Sequence, residues 1–490
     1  MLEIQKKLTN TFYVILSLPA TAMGFALSVQ ISALSWILTS KYGLEIHDVG
    51  LVWAAGPIAG ILGQIIFGVI SDKVWFWGGR RRPFIIIGGV LASLALLALP
   101  NIDVISSALG FNGILGVAIA VALSLDLAIN VGFNPTRSII ADITPEGVER
   151  TKGYTWMQTI SGTFGVLAYV IGAVWDNYVL IYSGVVLVFV LSVFPAFFIE
   201  EPRNLAGENE DKEQAKTKTG WLEILNDIRP LWGFLLYAVY AITARLMNAK
   251  PNKYMIYFTI VVTLYFILET LFKKSDNVNK TEKGRLEFRK VLAAHSFTWI
   301  GVQTMFVYMF AYVQYKVYGF TDGSSISESV KVEMGHVVSI SFLILNAVGA
   351  ILPAFVLEPV ARKIGRVKTH AISITTMAIG YAGMLFFGFS PFVIYILMAI
   401  LGIGWASTIS LPFAIMSQKV EQSKMGLYMG LFNLSVVLPQ LVASFGVGEA
   451  VSNAQDKSLI FVIATVTLAV SAVLWFTIKE NDNKGSQNEN

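Results

Sequence analysis

Three side chains in the stretch from Leu123 to Asp142 are costly to place where they stand: Asp126, Asn130 and Arg137 interrupt an apolar run of membrane length. On an α-helix their spacings of 4 and 11 residues return them to within about 40° of one face, with Asp126 and Arg137 roughly 16 Å apart. Ionisable groups inside a membrane face a bundle interior or a water-filled path and mark routes for ions or substrates, so this face reads as a transport site. A structural salt bridge or an early helix end is the bland alternative. Pro135 stands between Asn130 and Arg137 and lacks an amide hydrogen, so it can free backbone groups that only a cavity or a neighbouring helix would satisfy.

These residues need a bundle of helices to position them, and the composition supplies one. Of 490 residues, 55% are hydrophobic and 14% charged, with a mean hydropathy of +0.64. This is a polytopic all-α membrane protein. A net charge of +4 is too small to suggest a nucleic-acid partner. The absence of cysteine excludes disulfides, thiolate metal sites and a cysteine nucleophile. His47, His295, His336 and His370 have no metal-ligand spacing, and no phosphate loop or nucleophile–base pair appears, so neither a metal, a cofactor nor an enzyme is expected.

Hydropathy places about fourteen spans, near 12–38, 48–70, 83–100, 111–141, 155–175, 178–199, 229–247, 254–272, 293–316, 337–361, 370–388, 391–417, 426–447 and 458–478. The first is too long for a signal-peptide core and reads as an uncleaved span. Short loops carrying Lys73 and Arg80 to Arg82, Arg150 and Lys152, Arg362 to Lys368, and Lys419 and Lys424 fall on one side, which is therefore cytoplasmic, with both termini. The expected organisation is an N-terminal six-helix bundle over 1–199, a central region over 200–290, a C-terminal six-helix bundle over 291–478 and a polar tail over 479–490. The charged stretches 200–219 and 273–290 read as cytoplasmic linkers flanking an extra helical hairpin at 229–272. Its turn carries Arg245, Lys250 and Lys253 on the outer side, against the positive-inside expectation.

The joint between the second and third spans has a mechanical meaning. Gly68 to Asp72 followed by Gly79-Arg80-Arg81-Arg82 sets a carboxylate beside guanidiniums, a latch that can break when two halves rock. Topology alone accounts for the arginines but not for Asp72 or the glycines. Asp142 lies at the same end, and a weak repeat of the joint in the second half brings Arg362 and Arg366.

At this joint the sequence resembles the major facilitator superfamily. The longer match, with GPIAG at 56–60, Gln64, Ser71-Asp72 and GRRRPFI at 79–85, is similar to the sucrose-transporter and solute-carrier-45 branch of the glycoside-pentoside-hexuronide symporters. Leu125-Asp126, Asn130, Pro135, Arg137, Ala141 and Asp142 fall at that branch's fourth-span spacing. So do Ser410 to Ala414, Gly426 to Gly430, Asn433 and Pro439-Gln440 in the second half. The resemblance implies a major facilitator fold and proton-coupled uptake of a disaccharide or glucoside such as maltose or sucrose. It also implies Asp126 as the proton-binding carboxylate and Arg137 as a residue needed for coupling, and a carboxylate in a poorly solvated lining suits that role. Two departures stand out. The stretch Tyr308 to Gly319 lacks the aspartate of the plant proteins, and their first-span histidine is absent.

Sugar sites pair apolar rings with amides that satisfy hydroxyls. The candidates are Trp53, Gln64, Asn130, Gln303, Tyr308, Asn346, Trp405, Asn433 and Gln440, with Gln64, Asn130 and Asn433 foremost because they fall in the matched motifs. The expected partners are a small sugar and the lipid bilayer, the expected state a monomer, and the expected location the plasma membrane, or the inner membrane of a bacterium. Rival readings are a sodium-coupled or uncoupled carrier, or an exporter, on the same fold, and a sugar sensor that does not transport.

Overall fold

A computed structural model describes residues 3–60, 74–111, 113–145, 148–203, 221–247, 249, 252–273, 280–320, 326–420 and 425–480. Gln64 and Asp72 lie outside the described residues. Long apolar segments in a bilayer must satisfy every backbone group internally, and the chain does so with helices. We label those of eight residues or more α1 (Asn10–Ser40), α2 (Ile46–Trp53), α3 (Arg82–Ala98), α4 (Ile114–Ile143), α5 (Val148–Val174), α6 (Asn177–Phe198), α7 (Trp232–Leu246), α8 (Lys253–Phe272), α9 (Lys280–Tyr312), α10 (Glu328–Leu352), α11 (Arg366–Phe387), α12 (Pro391–Ser417), α13 (Met425–Leu441) and α14 (Leu459–Phe476). Local chemistry starts several of them. Thr9 accepts the amide of Phe12 at 3.3 Å to cap α1, and Asp176 accepts that of Val179 at 2.7 Å to cap α6.

Among the described residues, eleven helices are long and apolar enough to cross a membrane. The three other expected spans have separate reasons for falling short. α2 continues to residue 60, beyond which the chain is outside the described residues. α7 has fifteen residues and follows directly on a 3-10 turn at Arg229–Leu231. α9 carries charges along its first turns and polar residues along its core. It also starts at Lys280, inside the stretch read as a linker, because Arg285 and Arg289 find a buried partner. The carboxylate of Asp227, itself 1% exposed, accepts from Arg285 Nε at 2.9 Å, Arg289 Nη2 at 3.3 Å and the Tyr428 hydroxyl at 3.2 Å. A paired charge can be buried where an unpaired one cannot.

α1, α3, α4, α5 and α6 pack on one another, as do α9 to α14, giving two bundles; α5 and α1 meet α10 across the boundary, and the α7–α8 hairpin lies against α9 and α13. Each bundle ends in the same clamp. The carboxylate of Glu201 accepts the amides of Arg80, Arg81 and Arg82 at 2.8, 2.8 and 2.7 Å, closing the start of α3. That of Glu480 accepts the amides of Arg366 and Val367 at 3.0 and 2.9 Å, closing the start of α11. In both places the free amides and dipole of a helix N-terminus meet an anion. Glu201→Ala is expected to destabilise the protein by about 1–2 kcal/mol. A thermal melt in detergent checks this, and an unshifted melt would show that water replaces the carboxylate.

Candidate functional site

The side chains foreseen on α4 stand as follows. The helix runs unbroken through Pro135. Asp126 is 7% exposed, and its Oδ2 accepts a hydrogen bond from Gln30 Nε2 on α1 at 3.0 Å. The continuation of α2 passes so close that a Cβ at Gly56 would stand 3.3 Å from the same oxygen. Among the described residues no cation pairs with Asp126. The Asn130 amide donates to the Asp126 carbonyl at 2.8 Å, so it braces the helix one turn above the carboxylate. Arg137 lies further toward the chain termini, exposed, with its guanidinium 4.9 Å from the ring centre of Phe133 and its carbonyl accepting from the Tyr154 hydroxyl at 3.1 Å. Asp126 and Arg137 therefore share a helix without pairing.

Several foreseen amides and rings are brought together in the second bundle. Trp405 Nε1 donates to Asn346 Oδ1 at 3.1 Å, while Asn346 Nδ2 donates to the Phe342 carbonyl at 2.9 Å, so both ends of that amide are held. Trp405 stacks edge-on with Phe306 at 5.2 Å and with Trp299 at 6.3 Å. Tyr169 of the first bundle faces this group, 6.2 Å from Phe342 between ring centres. Gln440 Nε2 donates to Gln303 Oε1 at 3.2 Å. Trp405, Asn346, Gln440 and Asn433 remain half-buried. Rings beside oriented amides are the chemistry that recognises a sugar's C–H faces and hydroxyls.

Trp53 and Tyr308 are placed elsewhere, in the closure between the bundles. Trp53 Nε1 donates to Ser35 Oγ at 2.8 Å, which donates to the Val307 carbonyl at 2.9 Å. The Tyr308 hydroxyl donates to the carbonyls of Ala443 and Ser444 at 3.2 and 3.1 Å and is wedged against Gly50 and Gly448. Ser32 with Ser339 at 3.0 Å, Trp36 with the Lys331 carbonyl at 3.0 Å and His336 with the Trp175 carbonyl at 2.6 Å complete the seam. These contacts gather at the end of the molecule opposite the termini.

At the termini end, Arg81 Nε pairs with Asp142 Oδ2 at 3.0 Å, both side chains being about one-tenth exposed. Arg362 pairs with Glu358 one turn away, in the open. Arg80 and Arg82 contribute their backbone amides to Glu201, as Arg366 does to Glu480. These pairs lie within a bundle and do not cross from one to the other.

Sequence reasoning missed Gln30 and Tyr169. Gln30 is 2% exposed, an amide deep in the apolar run of α1, and that isolation was the available signal. Tyr169 had none, because an aromatic ring in a span is ordinary.

The model of the Major Facilitator Superfamily matches residues 16–444. The sucrose transport protein SUC4 of Arabidopsis thaliana is 25% identical over 473 residues, covering 89% of this chain and 83% of that protein. The general alpha-glucoside permease of Schizosaccharomyces pombe is 29% identical over 174 residues, 32% of this chain and 31% of that protein. Among solved structures, the inward-open xylose transporter XylE from E. coli matches with a TM-score of 0.60 at 14% identity, over 97% of each chain. The D-xylose-proton symporter matches with a TM-score of 0.62 at 12% identity, over 96% of this chain and 97% of that one. At such identities the structures speak for the fold alone. Two packed bundles and a family model that spans most of the length agree: the chain belongs to the Major Facilitator Superfamily.

Proposed function

We propose that the protein is a secondary active transporter that takes up a disaccharide or glucoside together with protons. The observation that carries this reading is a buried carboxylate, Asp126, with no cation partner among the described residues, in a molecule whose second bundle holds a ring-and-amide cluster facing Tyr169 of the first. The sucrose and alpha-glucoside transporters among its relatives support the substrate class.

The geometry suits such a cycle. Gln30 presents an amide to Asp126, and an amide can donate to a carboxylate or, turned over, accept from a carboxylic acid. Gln30 thus serves both protonation states, and its Oε1 has no partner among the described residues. Sugar bound against Trp405 would meet the fixed carbonyl of Asn346 and the Gln303–Gln440 pair. The seam of Trp53, Tyr308 and Ser32 closes the end away from the termini. With the arginine-rich loops on the cytoplasmic side, the closed end is the outer one, and rocking of the bundles about the site would open it.

The test is purified protein in liposomes with an internal pH dye and an added sugar: sucrose, maltose, lactose or trehalose. Acidification of the lumen with at least one sugar is the expected result. Sugar entry without acidification would move the reading to a sodium-coupled or uncoupled carrier. Silence with every sugar, in folded protein, would remove the substrate class.

A further inference from the structure

The α7–α8 hairpin does not lie flush on the second bundle. A cavity of about 730 Å³ separates it from α9, α14 and the turn Val442–Val447 that follows α13. Its walls are the side chains of Phe234, Ile260, Phe297 and Phe445, and it shares no lining residue with Asp126, Asn346 or Trp405. The volume is that of a site for a medium-sized organic ligand. Charged groups occur only at the end away from the chain termini, where Arg245, His47 and Glu449 reach the rim.

What fills this space follows from where it lies. The outer face of the hairpin exposes Leu235, Val239, Val261 and Tyr265, a surface suited to hydrocarbon. Water gains nothing in a dry apolar cavity, which takes apolar groups instead. The supply at that depth is acyl chain. The rim then sits at the level of the headgroups. Glu449 is engaged there by His47 Nε2 at 3.3 Å and by Asn453 Nδ2 at 3.2 Å. Arg245, in the last turn of α7, has no ion pair among the described residues. Its guanidinium is one of the three cations of this turn that run against the positive-inside pattern, and a phosphodiester would account for it.

We propose that the cavity holds one membrane phospholipid, with an acyl chain between the hairpin and the second bundle and its phosphate on Arg245. The lipid completes the packing of the hairpin, so that α7 and α8 move with the second bundle.

Native mass spectrometry of the full chain, purified in mild detergent and delipidated stepwise, tests this. One phospholipid should persist per chain after the surrounding lipids are stripped. Arg245→Gln should weaken its retention about tenfold, the scale of one charge-assisted contact. Ala241→Trp, which fills the cavity, should abolish retention. Both variants should transport as the unaltered protein does. Loss of all lipid from the unaltered protein, equal retention in both variants, or a retained detergent molecule that added phospholipid does not displace would overturn the proposal. Should Ala241→Trp fail to fold, a phospholipid with a photoactivatable acyl chain gives a second reading in the unaltered protein. Cross-links to Phe234, Ile260 or Phe297 are expected, and cross-links confined to Val261 and Tyr265 on the outer face would overturn it.

Discussion

Asp126→Asn should abolish sugar-driven acidification in liposomes while leaving the protein folded. Asparagine keeps the shape of aspartate and can still pair with the Gln30 amide, so stability should change by about 1 kcal/mol or less. What it cannot do is exchange a proton. Gly56 packs against the same oxygen, and the stretch from Tyr308 to Gly319 carries no carboxylate that could take over. Preloaded labelled sugar should still exchange for external sugar, because exchange needs no net proton movement. Unchanged acidification in Asp126→Asn would remove Asp126 from the proton path. Loss of exchange as well as acidification, in folded protein, would make it a sugar ligand.

Trp405→Ala should weaken sugar binding more than it slows turnover. The indole offers an apolar face for a sugar ring; covering about 80 Å² at about 25 cal/mol per Å² contributes about 2 kcal/mol, a factor of about 30 in affinity. The same change frees Asn346 Oδ1 from its 3.1 Å partner, so that the amide loses one of its two tethers. Trp405→Phe separates the effects, since it keeps a ring and drops the donor. A KM raised about thirtyfold in Trp405→Ala and only a few-fold in Trp405→Phe is the expected pattern in a labelled-sugar uptake assay. Equal, small changes in both would place the sugar elsewhere in the space between the bundles.

The all-helical architecture was legible because a bilayer leaves a chain few options. Long uncharged runs such as Asn177–Phe198 and Leu459–Phe476 can only be helices there, and both lie where hydropathy put them. The linker before α9 was misread for a physical reason. Arg285 and Arg289 look like solvated chain until Asp227, 58 and 62 residues away, is seen to accept from both. Local composition cannot report a partner that distant. The candidate site divides similarly. Asp126 is conspicuous as a charge in an apolar span, whereas Gln303 and Gln440 are only two amides until folding sets them 3.2 Å apart.

The sequence by itself determined that the chain crosses a membrane on helices, which end carries the basic loops, and that Asp126 is a carboxylate standing in an apolar span. Each of these is a matter of transfer free energy, residue by residue, and needs no knowledge of neighbours. Only the tertiary structure decided that Gln30 holds Asp126, that Trp405 and Asn346 form one group, that Trp53 and Tyr308 seal the seam, and that Arg81 pairs with Asp142. Those are contacts between segments far apart in the chain, set by how helices pack, and packing depends on shapes that composition does not carry.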